Sequence, residues 1–263
     1  MNIMFDSMST QVQVHNETQN RLVTLFGALE NSGYNIAFTD FTQPITPQLG
    51  TPQNGGTDVL VILTHFPETQ PGYTPAIPAG TNFNFFASDL SATTGIPNWV
   101  SNQGGNLLFV SNHTVFTTFD SALATALGIT IVPAGFEIPQ TANTPLVPAG
   151  VTANSVSGPD WLLNNVEAYV SCGVAPGNGT ILYSFPPNVI DATGTYNPAD
   201  YAFAVQFAYS NCNNDNTGSV IMAARSGLAG DAGTGWPAPG EVGNGSNLSF
   251  LLNCINVLGG GIS

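Results

Sequence analysis

Short, uninterrupted apolar runs constrain the fold of this chain more than any other feature of its sequence. The run Leu107–Val110 lies between two glycines and the polar turn Ser111–His113, and Asp58–Thr64 contains a similar run. A short apolar run without polar alternation is typical of a strand that is covered on both faces, as in a parallel sheet. Ligands of such sheets bind just beyond the carboxyl ends of the strands. The residues that follow these runs are therefore the first candidates for a functional site.

Strand and helix patterns alternate from residue 1 to residue 132. This alternation is typical of an α/β sheet with right-handed crossovers. We therefore predict a doubly wound, mainly parallel sheet of the flavodoxin-like type. The predicted strands are Asn2–Phe5, Tyr34–Thr39, Asp58–Thr64, Leu107–Val110 and Ile129–Val132, and the predicted helices run from Asn16 to Gly33, over Phe83–Leu90, from Ile96 to Gly104 and over Thr118–Leu127.

The texture of the sequence changes between residues 133 and 215. Gly, Pro, Asn and Thr dominate there, and the apolar runs at 168–171, 180–185 and 201–209 have strand character. We predict that this segment is a strand-rich insertion on the same sheet. A late buried strand at Ser219–Ala224 and a closing helix at Asn247–Leu258, with an apolar stripe, follow it. No linker composition separates these parts, so we predict one domain over residues 1–263.

The charge balance excludes several partners. The formal net charge is −14 with 16 acidic residues, because the chain has two arginines and no lysine. Without a basic patch, nucleic acid and anionic membranes are poor partners. No apolar run approaches the roughly 20 residues of a membrane helix, which argues against membrane insertion.

A surface with so few charges permits close self-association. We therefore expect an extracellular or cell-surface protein that forms a homo-oligomer or polymer. The first residues lack the basic and long apolar regions of a signal peptide.

The order of elements resembles the class I glutamine amidotransferase-like superfamily. The run at 57–66, the segment 96–114 and the run at 123–131 follow one another as in that superfamily. The resemblance is closer to its non-amidotransferase branch of secreted and gliding- or ciliary-associated domains. The residues that carry this closer likeness are Trp99 and Val100 before Gly104 and Gly105, and Asn247, Phe250 and Asn253 in the closing helix.

One departure from that superfamily concerns its chemistry. True amidotransferases place a nucleophilic cysteine in the turn after the central strand and use a later histidine. Here the turn is Ser111–Thr114, no cysteine is near it in the sequence, and no histidine follows His113. The resemblance therefore implies the fold without glutaminase activity.

Four polar residues follow predicted strands: Asp6, His65, His113 and Arg225. In a flavodoxin-like order the first, third and central strands are neighbours, so Asp6, His65 and His113 are expected to converge at one edge. Two histidines and a carboxylate are candidate ligands of a divalent metal, or a base and its orienting partner in a hydrolase. In the alternative interpretation these side chains cap strand ends and bind loop backbone.

The remaining candidates are modification and binding sites. Cys172 and Cys212 are the candidate disulfide pair, because both lie in strand-like contexts, and three buried thiols are the alternative. Asp231, Trp236 and Glu241 are candidates for a saccharide pocket. Possible glycosylation sequons, in about the number expected by chance, begin at Asn16, Asn112, Asn178, Asn244 and Asn247.

These observations favour a non-catalytic extracellular or cell-surface α/β domain for binding or self-assembly, with no cofactor. The alternative is a hydrolase that uses Asp6, His65 and His113. The two hypotheses differ in geometry: an open, concave cluster supports the enzyme, whereas distant or loop-bonded groups support the binding domain.

Overall fold

The computed structural model describes residues 1–7, 22–63, 84–112, 116–138, 149–153, 166–168, 171–210, 217–225, 229, 242 and 246–260. In these residues the strands are β1 (Asn2–Phe5), β2 (Asn35–Phe38), β3 (Val59–Leu63), β4 (Asn106–Val110), β5 (Ile131–Glu137), β6 (Ala149–Ala153), β7 (Val166–Ala168), β8 (Ser171–Val174), β9 (Thr180–Ser184), β10 (Ile190–Asp191), β11 (Ala202–Ser210) and β12 (Thr217–Ala223). The helices are α1 (Val23–Asn31), α2 (Thr46–Leu49), α3 (Ile96–Gln103), α4 (Phe116–Ala126) and α5 (Asn247–Leu258), and two short 3-10 helices lie at Pro52–Asn54 and Pro198–Asp200.

A parallel group of strands forms one side of the sheet, in the order β2-β1-β3-β4-β12. Every residue of β3 is buried, and so are the last four residues of β4. Full burial explains why both strands consist of unbroken apolar runs, because neither face meets water. The prediction of buried parallel strands at these two runs is therefore confirmed.

The other side of the sheet is antiparallel. It continues from β12 through β11, β8, β5 and β10, while β9 pairs with β11 and β6. The predicted insertion strands thus extend the same sheet. The strand predicted at 129–132 is longer than expected, and it pairs antiparallel with β8 and β10 instead of joining the parallel group. The sheet is therefore mixed, with its parallel strands on one side.

The segment from Asp40 to Leu90 departs from the prediction in two places. The stretch from Asp40 to Thr57, for which no helix was predicted, contains α2 and a 3-10 helix. Residues 84–90 were predicted as a helix, but they contain only a turn at 87–90. Tertiary contacts override the local pattern there: the Phe85 ring packs edge-on against Phe109, and the Asp89 carboxylate binds backbone of the α2 segment.

Helix α5 covers the parallel strands with its apolar face, and its bounds match the predicted helix. Leu251, Ile255 and Leu258 are buried, whereas Leu252 is only partly buried. The ring of Phe250 packs edge-on against Tyr183 of β9, with ring centroids 5.1 Å apart. The helix therefore joins the parallel strands to the antiparallel extension. None of the helices in the described part of the chain has the length and hydrophobicity that a membrane span requires.

The carboxylate of Asp191 organises the turn after β10. It accepts hydrogen bonds from the backbone N–H groups of Gly135 at 3.0 Å, Thr193 at 3.1 Å, and Thr195 and Tyr196 at 2.9 Å, and also from the Thr193 hydroxyl. Burial raises the pKa of this carboxyl, but the hydrogen bonds from Thr193, Gly135 and Tyr196 outweigh it and hold the pKa at about 2. The charged form is therefore the one that the fold stabilises.

We expect Asp191→Asn to lower the stability by ~1–2 kcal/mol above pH 4, after allowing for solvent screening. Because the folded pKa lies below the unfolded value, this contribution is complete above pH 4 and disappears as the pH falls through 2. Urea unfolding of the wild type and Asp191→Asn at pH 6 and pH 2 measures the difference. An equal difference at both pH values would contradict the prediction.

Candidate functional site

The carboxyl ends of β2, β1, β3, β4 and β12 meet at one edge of the sheet, called here the carboxyl edge. Asp6 follows β1 and is 1% exposed, and Arg225, which closely follows β12, is 5% exposed. Both residues lie at this edge, but two strands, β3 and β4, separate β1 from β12. His65 and His113 lie outside the described residues, so the convergence of Asp6, His65 and His113, and the metal site it implies, stay predictions. Among the described residues, no group of three His, Cys, Asp or Glu side chains is placed to hold a metal ion.

On the β1 side of the carboxyl edge, Asp6 and Ser7 bind the end of β2. The Thr39 hydroxyl donates to Asp6 Oδ1 at 3.3 Å and accepts from the Ser7 N–H at 2.9 Å. The Ser7 hydroxyl donates to the Thr39 carbonyl. All three side chains are buried, with exposed fractions of 5% or less. The hydroxyl of Ser7, which directly follows Asp6, therefore donates a hydrogen bond that holds the ends of β1 and β2 together.

A narrow crevice lies beside Asp6. The empty space between its walls, open solvent included, is ≈ 260 Å³. Its walls are mostly aromatic and amide side chains. They belong to Asp6, Thr39, Phe41, Gln43, Ile45, Asn84, Phe85, Phe86 and Asp89. This crevice is the open space that the described residues leave next to a predicted site residue.

On the β4 side, four polar side chains are buried together in pairs. The Ser111 hydroxyl donates to Asp120 Oδ2 on α4 at 2.7 Å. Arg225 Nη1 donates to Asn112 Oδ1 at 3.0 Å, and this bond joins the turns that follow β12 and β4. All four residues are 5% exposed or less. We call Ser111, Asn112, Asp120 and Arg225, together with Cys172, the buried polar cluster.

Cys172 belongs to this cluster, which no pattern in the sequence indicated. It comes from β8, it is a free thiol, and its Sγ donates to the Ala224 carbonyl at 3.4 Å. Complete burial raises the pKa of the thiol strongly, and the Asp120 charge raises it further, whereas a hydrogen bond with Ser111 and the Arg225 charge oppose the rise. Since the thiolate is the nucleophile, this neutral buried thiol is poorly suited to covalent catalysis. Its predicted disulfide partner, Cys212, lies outside the described residues.

The sequons differ in their accessibility. Asn112 and Asn247 are buried, and Asn247 exchanges two hydrogen bonds with the Glu167 backbone at 2.7 and 2.9 Å. A bulky glycan does not fit at a buried amide, so the prediction of glycosylation at these two residues is wrong. Asn178 is exposed in a turn closed by the hydrogen bond from the Gly179 N–H to the Pro176 carbonyl. The other candidates, Asn16, Asn244 and the saccharide residues Asp231, Trp236 and Glu241, lie outside the described residues.

Comparisons with solved structures give a distant structural likeness. No protein-family model matches the chain, and no curated protein is detectably similar to it. A solved structure of a protein from Bacteroides uniformis, described as thua-like, aligns with 98% of this chain and 90% of that chain, with a TM-score of 0.48 and 14% sequence identity.

Proposed function

We propose that this chain is a non-catalytic α/β domain that acts by associating with itself, outside the cell or at its surface. The single observation that carries the proposal is the burial of the polar side chains at the carboxyl edge. Its described polar side chains are buried and hydrogen-bonded to one another: Ser111 to Asp120, Arg225 to Asn112, and Thr39 to Asp6. A catalytic acid or base must reach the substrate, and these pairings keep the groups inside the protein.

The strand order supports a flavodoxin-like, doubly wound core under the same proposal. The parallel strands follow the order β2-β1-β3-β4, with β12 in the place of a fifth strand. In that type of fold, ligands bind at the carboxyl edge. Here the described part of that edge holds structural hydrogen bonds, which supports a scaffold that has its interaction surfaces elsewhere.

The two ends of the sheet favour self-association. Phe38 on β2 is 42% exposed and Ile190 on β10 is 44% exposed, and these two strands end the sheet order. Natural sheets usually protect such ends with charged side chains, especially lysine. This chain has no lysine, and β2 contains no charged residue.

The alternative is a hydrolase that uses Asp6, His65 and His113. The observation in its favour is that Asp6 lines the crevice at the carboxyl edge. A saccharide is the ligand class that best suits a crevice whose walls combine aromatic rings with amide and carboxylate side chains. Under this alternative, Asp6→Asn abolishes the activity without unfolding the protein.

We expect sedimentation velocity over a range of protein concentrations to show a homo-oligomer or polymer. The association is expected to depend only weakly on salt, because screening acts on charges and few are available to form pairs. A monomer at high concentration in both low and high salt would refute self-assembly. The hydrolase would then be the hypothesis to test next, by comparing the activity of Asp6→Asn with that of the wild type.

A further inference from the structure

The outer edge of β2 presents backbone groups for pairing. The N–H groups of Asn35 and Thr39 donate to the carbonyls of Met1 and Phe5, both at 3.0 Å. Because backbone groups alternate in direction along a strand, the N–H and C=O groups of Ile36 and Phe38 point away from β1. Within the described part of the chain, β2 ends the sheet and β1 is its partner strand. An exposed edge of this kind is a template for a strand from another molecule.

Apolar surface surrounds these backbone groups. The Phe38 ring is held by the rings of Phe26, with centroids 5.5 Å apart, and Phe5, at 6.0 Å, yet 42% of the residue stays exposed. Val23, one turn before Phe26 on α1, is 57% exposed. The side chains of β2 are Asn, Ile, Ala and Phe, so the edge has neither a charge nor a proline to discourage pairing.

We propose that β2 is a homotypic interface, where a second copy of this chain pairs antiparallel about a two-fold axis at Ala37. This inference rests on the proposed self-association and names its surface. In this register Ile36 faces the partner's Phe38, and Phe38 faces the partner's Ile36, so four backbone hydrogen bonds form. The two Ala37 residues then occupy the non-hydrogen-bonded position, where Cα atoms approach to about 4.5 Å and a small side chain fits.

The charge distribution permits this pairing although each chain carries a net charge of −14. The carboxylate nearest to Ala37 along the strand is that of Asp40, three residues away. With the axis at Ala37, the two Asp40 residues lie about 20 Å apart, at roughly 3.4 Å per residue. That separation is more than twice the Debye length of about 8 Å at physiological ionic strength. The two Asp40 carboxylates therefore repel each other little across this interface.

The pairing at β2 also limits the assembly to two chains. A two-fold antiparallel interface uses the same surface on both copies, so it closes after two chains. The two sheets become one continuous sheet, and the exposed Phe38 ring of each copy lies beside the partner's Ile36. A polymer would then need a second surface, such as the opposite end of the sheet at β10.

Ala37→Cys tests the register directly. At the axis the two introduced cysteines fall within the 4.4–6.8 Å Cα separation that a disulfide accepts. Under a mild disulfide oxidant we expect most of the protein to run as a covalent dimer on a non-reducing gel. Asn178→Cys is the matched control, because Asn178 is exposed in a turn of the antiparallel side, and it is expected to give at most trace dimer.

Ala37→Glu tests the energetics. It places two carboxylates opposite each other at the axis, and Ala37 is exposed, so the monomer keeps its circular dichroism spectrum. We expect at least a tenfold rise in the concentration needed for association, whereas Ala37→Ser leaves it unchanged.

The outcomes separate the two proposals. If the wild type associates but Ala37→Glu does not shift the association and Ala37→Cys cross-links no better than Asn178→Cys, the β2 interface is wrong and self-assembly stands. If the wild type stays monomeric at every concentration, both proposals fail.

Discussion

Gly218→Ala should remove most of the stability of this protein. Gly218 lies in β12, where α3 crosses the sheet, and a Cβ at this position would lie 2.2 Å from the Val100 carbonyl oxygen and 2.3 Å from the Gly105 carbonyl oxygen. Both oxygens belong to the backbone, so no side-chain rotation can relieve the contact. We expect a loss of at least ~4 kcal/mol, which is near the upper end of single-residue effects.

Gly27→Ala is the matched control, because it makes the same chemical change without the contact. Gly27 lies inside α1, and no atom lies within 4 Å of a Cβ built there. Alanine loses less conformational freedom than glycine in a helix, so we expect Gly27→Ala to stabilise the protein by about 0.5–1 kcal/mol. Urea unfolding followed by circular dichroism measures both variants. If Gly218→Ala unfolds within about 1 kcal/mol of the wild type, α3 and β12 do not pack as closely as described.

The parallel strands and α5 were predictable because each has a strong local signal. The runs in β3 and β4 are apolar throughout, since these strands are buried on both faces. The bounds of α5 follow from an apolar stripe of helical spacing. The stripe did not show which of its residues are most deeply buried. Leu252 belongs to it and is only partly buried, whereas Leu251 beside it is 1% exposed. The spacing of apolar residues therefore predicts which face of a helix is buried, but not which residues lie at the centre of that face.

The pairing of the antiparallel strands was not predictable in the same way. The pattern of apolar runs predicted strands between residues 133 and 215, but it contains no information about which strand lies beside which. Strand β8 lies between β5 and β11, and this order brings Cys172 to Ala224, which follows β12, and to Ser111, which follows β4. The buried polar cluster therefore depends on contacts between distant segments. By contrast, the positions of Asp6 and Arg225 need only local information, because each residue follows a strand of the parallel group.

Asp89→Ala is the second substitution for which we expect a large effect. Asp89 is fully buried, and its carboxylate accepts three hydrogen bonds from the start of the α2 segment. The donors are the Ile45 N–H at 2.9 Å, the Thr46 N–H at 2.8 Å and the Thr46 hydroxyl at 2.7 Å. Alanine leaves these donors without an acceptor. A buried unsatisfied donor costs about 1–3 kcal/mol, which applies fully to the Ile45 N–H and in part to the partly buried Thr46 donors. We therefore expect a total loss of ~3–5 kcal/mol, because charged acceptors make the stronger bonds.

Asp40→Ala separates the effect of burial from the effect of the bonds. The Asp40 carboxylate also accepts a threonine N–H and hydroxyl, from Thr42 at 2.9 and 2.7 Å, but Asp40 is exposed, so water replaces the lost acceptor. We expect Asp40→Ala to be far less destabilising than Asp89→Ala, and Asp89→Asn, which keeps one acceptor oxygen, to fall between them. Urea midpoints of the three variants measure this order. Equal losses for Asp89→Ala and Asp40→Ala would mean that solvent reaches the Ile45 and Thr46 donors, and that α2 is held by its apolar contacts instead of by the Asp89 carboxylate.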